Sequence, residues 1–381
     1  MSGPLAGIRV IELAGIGPCP FASMVLADMG ADVLRIERAS VVSRPLPHGT
    51  SWDLMNRGKR SIGVNLKDPE GIELLLSLAE RADVLVEGFR PGVAERLGVG
   101  PAECTARNPR LVYGRMTGWG QDGPLSPRAG HDIDYIALAG ALALFGRAGE
   151  RPLPPLNLIG DFGGGGMLLA FGVACALLEA RASGKGQVVD AAMVDGAALL
   201  TTFIWGLRGL GLWRDERGTN LLDTGAPFYE VYECAGGGHV AIGALEPQFY
   251  AALLEVMGID PASLPPQMDR ESWPATKERF KAVIKTRTRD EWVALAEGTD
   301  SCLAPVLSMS EVAADPHNAA RGTFVEIAGS LQPGPAPRFD RTPPSLPSPP
   351  AWPGQGGDEA LGDWGIDESQ ADRLRASGAL A

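Results

Sequence analysis

Histidine is scarce in this chain, with four in 381 residues, and no two of them stand at the spacing of a metal-ligand pair. Cysteine offers no alternative. The five thiols (Cys19, Cys104, Cys175, Cys234 and Cys302) are scattered and odd in number. They argue against a disulfide framework or a zinc site, and for reduced thiols in a cytoplasmic protein. Positive charge is in deficit as well: the formal net charge is -12, whereas nucleic acid as a main partner calls for a broadly basic face. Apolar runs such as 167–178 fall short of the ~18 residues that suggest a membrane span. The opening MSGPLAGIRVIEL lacks the basic, apolar and cleavage-site order of a secretory signal. These shortages leave a small-molecule partner as the expectation, with no metal, no nucleic acid and no membrane.

What is present is a large apolar fraction, 45%, in a chain long enough for two domains. The first third alternates short β-rich runs with helical ones: GIRVIEL (7–13), FASMVLADMG (21–30), ADVLRIE (31–37), SIGVNL (61–66), PEGIELLLSLAERAD (69–83), VLVEGF (84–89) and LVYGRM (111–116). That rhythm predicts a parallel sheet covered on both faces, with ligands at the carboxyl ends of its strands. The first such end, residues 14–20, has Pro18 and Pro20 where a dinucleotide turn needs its G-x-G-x-x-G spacing, so a nicotinamide cofactor is a weak reading. Residues 188–212 read as apolar and helix-like, 214–226 as a linker, and 227–244 as a hairpin around Gly236-Gly237-Gly238. A helix with Pro247 in its first turn follows Glu246, then two amphipathic helices within 274–298 and a strand at 302–308. The expected division is a large domain over 1–213 completed by about 330–381, a small α/β domain over 227–310, and a return linker over 311–329. The Pro-rich stretch 332–357 reads as extended and draped over another surface.

Two stretches carry candidate chemistry. Arg35, Arg38, Arg44, Arg57, Lys59 and Arg60 form a basic island in an acidic chain, which suggests a phosphate-bearing ligand because guanidinium grips phosphate bidentately. Arg90 and Arg96 add to it. The second stretch, 130–190, holds His131 and Asp161, the latter set before Gly163–Gly166 and a long apolar run. It reads as a flexible turn opening a buried helix, with Asp161 near the helix N-terminus. Such an acid often does no more than cap its helix. Glu246 by itself is likewise an ordinary acid at a helix start.

Taken in order, LAGIRVIELAGIGPCPFASMVLADMGADVLRIER, LVEGFRPGVAERLG, YGRMTGWGQDGPL, AGHDIDYIALAGAL, NLIGDFGGGGM, APFYEVYEC, GALEPQFY and PAPRFDRT make the chain resemble the family III CoA-transferase superfamily and, within it, the alpha-methylacyl-CoA racemases. The resemblance implies a Rossmann-like parallel-sheet domain joined by long linkers to a smaller α/β domain, in an interlocked homodimer. It implies an isomerase of 2-methylacyl-CoA thioesters working by 1,1-proton transfer through an enolate. The CoA belongs to the substrate, with no metal, nicotinamide or PLP. Asp161 is then the shared carboxylate of the superfamily, which the transferases use as a nucleophile. His131 and Glu246 are the residues the racemases add. CoA contacts would come from Ile16, Arg38, Gly88, Phe89, Arg90 and Arg96, with Arg60 following from the basic island. Cys19 stands where a glycine would be expected. Independently of family, inverting a carbon beside a thioester calls for two groups of near-neutral pKa on opposite faces. Histidine supplies one unperturbed. Asp161 qualifies only if desolvation outweighs the pull of the helix terminus.

Overall fold

The computed structural model describes residues 2–42 and 52–381, so Arg44 and His48 lie outside the described residues. The described chain divides into two compact units. The first gathers the described residues up to Ala139 with Leu156–Leu200 and Ala319–Ala381, and the second Gly140–Pro155 with Thr201–Asn318.

The first unit is built on six parallel strands: β1 (Arg9–Leu13), β2 (Asp32–Arg38), β3 (Lys59–Val64), β4 (Val84–Glu87), β5 (Val112–Thr117) and β6 (Val188–Ala192). Their order is β3-β2-β1-β4-β5-β6, so it reverses between β1 and β4 and leaves a crevice beyond their carboxyl ends. Successive side chains point to opposite faces, and along β1–β5 both faces are buried, which is why those strands read as nearly continuous apolar runs; β6 is largely exposed. On β1, Ile11 and Leu13 join Leu34, Leu75 and Tyr113 in one core, which the C-terminal residues Trp364 and Leu374 complete. Val10 turns the other way, with Val33, Val86 and Val112, against helices α1 (Pro18–Asp28) and α4 (Met167–Ser183). Helix α1 starts at Pro18, earlier than the run 21–30, because prolines in a first turn need no N–H partner. Residues 188–192 are the sixth strand and not part of a helix: the β-branched pair Val188-Val189 registers Val188 opposite Tyr113.

The glycine run differs from the expected flexible turn. Leu158–Gly166 is a π-helix that continues directly into α4. The glycines are there for close packing. A Cβ on Gly164 would lie 2.6 Å from the Ala197 nitrogen on helix α5 (Met193–Leu200), and one on Gly166 would lie 2.8 Å from the Pro18 carbonyl. Together the span Leu158–Ser183 is 26 residues, long and apolar enough by length and composition to cross a membrane. In this fold it is a core helix, with Leu169, Val173 and Leu177 buried against the sheet. The Pro-rich stretch drapes over β3 of its own unit. Gly58 N–H donates to the Ser348 carbonyl at 2.9 Å, and Gly354 N–H to Ser61 Oγ at 3.0 Å.

The second unit has three antiparallel strands, β7 (Tyr229–Glu233), β8 (His239–Gly243) and β9 (Leu303–Pro305), with helices α6 (Pro247–Met257), α7 (Trp273–Ile284) and α8 (Arg289–Ala296). The β7–β8 turn uses positive φ at Gly236 and Gly237, which glycine adopts without strain. Phe228, Trp273, Phe280 and Trp292 form its core. Residues 140–155 belong here and not with 1–139, in part because Arg147 grips buried Glu230 through two hydrogen bonds of 2.7 and 3.0 Å. The expected linker 214–226 is a stapled turn: Asp223 accepts the N–H groups of Gly218 and Asn220, and Asn220 Nδ2 donates to the Arg214 carbonyl.

Candidate active site

A cavity of about 580 Å³ opens where the strand order reverses, a size in the ordinary range for ligand sites. Its lining comes from the loop after β1, the turn after β4, the end of β5, the approach to helix α3 (Asp132–Leu138) and the start of the π-helix.

Ile16, in the first of these loops, is 88% exposed, an apolar side chain left free on a cavity wall. Cys19 is buried in the first turn of α1, and a Cβ on Gly88 would lie 3.4 Å from its Cβ, so the two loops pack closely there. Glu87 sets the turn Gly88-Phe89-Arg90. One of its oxygens accepts the Phe89 N–H at 2.6 Å, and the other accepts Arg115 Nε at 3.0 Å.

His131 precedes α3. Its N–H donates to Asp134 Oδ2 at 2.9 Å and its carbonyl accepts the Asp134 N–H at 2.8 Å, which anchors the main chain of an exposed residue on the cavity wall. Tyr135 donates its hydroxyl proton to the Gly130 carbonyl and meets Trp119 edge-to-face at 4.7 Å. Asp161 lies in the π-helix and is half-buried. Its N–H donates to Asp132 Oδ1 at 2.7 Å, and its Oδ2 accepts Asn157 Nδ2 at 3.1 Å. A Cβ on Gly17, just before α1, would lie 3.4 Å from Asp161 Oδ2. Burial raises the Asp161 carboxyl above its ordinary pKa; the Asn157 hydrogen bond opposes that, the charge of Asp132 adds to it, and His131 opposes it. The net shift is upward, with burial its largest cause.

Ile16, Gly88, Phe89, Arg90, His131 and Asp161 thus share one cavity. Arg38 is exposed at the carboxyl end of β2, and Arg96 is exposed with Nη1 3.2 Å from where a Gly92 Cβ would stand; neither lines the cavity. Arg60 is not brought to it either. It lies near the amino end of β3, where its guanidinium binds both oxygens of Asp32 at 2.8 and 2.7 Å and Asp363 at 2.5 Å. The rest of the described island is internal too. Lys59 and Arg35 bind buried Glu12, and Arg57 binds Asp28. Glu246 belongs to the second unit, at the N-cap of α6, with Pro247 in the first turn; its exposed side chain makes no capping hydrogen bond. Among the described residues no group of three or more His, Cys, Asp or Glu stands together as a metal site would.

Among the lining residues that escaped the sequence reading are Trp119, Arg128 and Asp132. Arg128, three residues before His131, is exposed on the cavity wall, and among the described residues no acidic side chain holds it in an ion pair. A cation in a Gly- and Pro-containing loop, three residues before a lone histidine, was the available signal.

The model of CoA-transferase family III matches residues 5–359. The chain belongs to that family. Among curated relatives of this CoA-transferase family III chain, the alpha-methylacyl-CoA racemase of Mus musculus is 46% identical over 345 residues, 90% of this chain and 88% of the relative. That of Homo sapiens is 46% identical over 347 residues, with the same coverage. Among solved structures, a CAIB/BAIF family protein from Brucella suis superposes with a TM-score of 0.81 at 25% identity, covering 96% of this chain and all of that one. In this family III chain the cavity lies where the strand order reverses.

Proposed function

We propose that the chain interconverts (R)- and (S)-2-methylacyl-CoA thioesters by 1,1-proton transfer. The observation that carries this is the joint presence of His131 and Asp161 in one cavity, with Asp161 shifted by burial toward its protonated form. Near 46% identity to two racemases over most of the chain supports the same reading. In one direction neutral His131 removes the α-proton, and the electron pair left on carbon delocalises onto the thioester oxygen as an enolate. Protonated Asp161 then delivers its proton to the opposite face, and the two groups return to their starting states by exchange with water. The reverse direction exchanges the roles of acid and base.

Glu246, supplied by a second copy of the chain in this reading, is assigned as the carboxylate that accepts a hydrogen bond from the far nitrogen of His131, fixing its tautomer. Its uncapped, exposed carboxylate is compatible with that work. The working form in this reading is an interlocked homodimer in the cytoplasm, and no resident cofactor takes part. The CoA moiety lies along Ile16 and the Gly88-Phe89-Arg90 turn, with Arg38 and Arg96 as cations at its edge.

The test is incubation with (S)-2-methylacyl-CoA in D₂O without any acceptor acid, following α-deuterium by mass spectrometry and configuration by chiral analysis. Deuterium uptake with inversion is expected. Uptake that requires a second carboxylic acid, with an Asp161 adduct trapped by hydroxylamine, would replace this reading with CoA transfer through an Asp161 anhydride.

A further inference from the structure

Asp132 is an acid in an unusual position. It is only 7% exposed, it lines the same cavity as Asp161, and its two oxygens are treated differently. Oδ1 accepts the Asp161 N–H at 2.7 Å, whereas Oδ2 is buried with no hydrogen-bond partner. The neighbouring backbone is shaped around it: a Cβ on Gly160 would collide with Asp132 Oδ1 and lie 2.9 Å from its carboxyl carbon. Only glycine at 160 lets the carboxyl reach the π-helix, so the contact is built into two separate stretches of sequence. Folded proteins seldom keep a buried polar atom unsatisfied without a local reason.

We propose that Asp132 is a positioning residue that fixes the main chain of Asp161 and sets the charge around its carboxyl. The inference rests on the reading of Asp161 as a proton donor and acceptor. The hydrogen bond pins the π-helical turn from which the Asp161 side chain projects, and misplacing a reacting group by about 1 Å can cost roughly 100-fold in rate. The second effect is electrostatic. The groups facing Asp161 are His131, Asp132 and Tyr135 from α3, Asn157 before the π-helix, Gly17 and Pro18 at the start of α1, and Arg90 on the cavity wall. Helix α5, packed on the π-helix, carries Asp195 beside Asp190. Of these, Asp132 is the acid in contact with the Asp161 backbone. A like charge at that distance disfavours the carboxylate form of Asp161, while Asn157 and His131 favour it. Asp132 thereby adds to burial, the larger cause, in raising the Asp161 carboxyl above its ordinary value.

Two variants separate the two effects. Asp132→Asn keeps an oxygen for the Asp161 N–H and removes the charge; Asp132→Ala removes both. Asp161 is followed in ligand-free protein labelled with ¹³C-aspartate, its carboxyl signal assigned by its loss in Asp161→Asn, alongside the pH profile of α-proton exchange in both directions. In Asp132→Asn the Asp161 midpoint, and the limb of the profile that reports it, should move to lower pH, with the best rate within about 10-fold of wild type. In Asp132→Ala the best rate should fall by roughly 100-fold or more. An unchanged Asp161 midpoint in the Asn variant overturns the electrostatic role, and wild-type exchange in the Ala variant overturns the positioning role. The titration needs no turnover. A wild type that exchanges no α-proton would defeat the proposed function, while the Asp161 midpoint would still decide the role of Asp132.

Discussion

The basic island and the Asp132–Asp161 pair are both charge withdrawn from water, and the fold treats them in opposite ways. Lys59 directs its ammonium to Glu12 at 2.7 Å, the Pro20 carbonyl at 2.9 Å and Asn56 Oδ1 at 3.0 Å, which uses all three donors. Arg57 is divided among Asp28, Gln332 and the Pro333 carbonyl. Burial pushes the Glu12 carboxyl up, but the charges of Lys59 and Arg35 outweigh it and hold the group below its ordinary value. Around the cavity the accounts stay open: Asp132 Oδ2 and Trp119 Nε1 are buried without partners, and Asp161 is raised. A concentration of charge in a sequence marks a ligand site only where the protein has not already answered that charge itself. Arg35, Arg57 and Lys59 of the island were answered within the fold, and Arg35 and Lys59 brace the loop 14–20 through Gly15 and Pro20.

Removing the reacting acid should give the largest effect. Asp161→Ala is expected to lower α-proton exchange by about 10²- to 10⁴-fold, the usual weight of a general acid–base group, with the circular dichroism of the fold retained. Activity within a few-fold of wild type would move the chemistry away from this cavity. The next effect falls on stability. Lys59→Met leaves Glu12 short of a partner in a dry site, and breaking a buried pair in this way costs about 3–5 kcal/mol. Urea unfolding of the variant should show that loss, and a change under 1 kcal/mol would mean that the network is more hydrated than its geometry indicates.

Much of the fold was legible because it depends on period. Apolar runs buried on both faces revealed five strands of the large sheet, and Gly236-Gly237 revealed the hairpin. The sixth strand was hidden in a stretch whose apolar residues suit a helix equally well, and only the partnership of Val188 with Tyr113 decides between them. The π-helix was hidden for a related reason. Four glycines signal freedom when read along the chain, yet here they mark contact with α1 and α5, which are distant in sequence. At the site, His131 and Asp161 stood out through their motifs. Asp132 did not, because its meaning lies in a hydrogen bond to a residue in another segment. Arg60 looked like a phosphate ligand until Asp32 and Asp363 were in place around it.

That difference between answered and open cations can be measured. Arg128 lines the cavity and is free of ion pairs among the described residues, whereas Arg60 holds two aspartates. Arg128→Ala should raise KM for the acyl-CoA about tenfold, ~1.4 kcal/mol, with kcat changed by less than about twofold. The penalty should shrink as salt screens the lost charge. Arg60→Ala should leave KM unaltered and affect only stability, by about 1 kcal/mol or less, since its partners are partly exposed. A larger KM effect at Arg60 than at Arg128 would reverse the comparison.

The most discriminating comparison is a matter of sign, and its Asp161 arm carries the smallest expected effect. Glu12 has a folded-state pKa below its unfolded value. Its contribution to stability is present above the unfolded value and is lost as pH falls through the depressed folded one. Asp161 is raised, so whatever it contributes is present below the unfolded value and is lost as pH rises through the folded one. Above the ordinary carboxylate range Asp161 is therefore a liability to the fold. Asp161→Asn should raise Tm slightly near pH 7, with the gain disappearing in acid, below the ordinary carboxylate range. Glu12→Gln should lower Tm near pH 7, with the deficit narrowing in acid. Scanning calorimetry at neutral and acidic pH separates the two. If both substitutions shift Tm in the same direction at pH 7, Asp161 is as well accommodated as Glu12, and the distinction between a braced charge and a reactive one fails at the residue where it matters most.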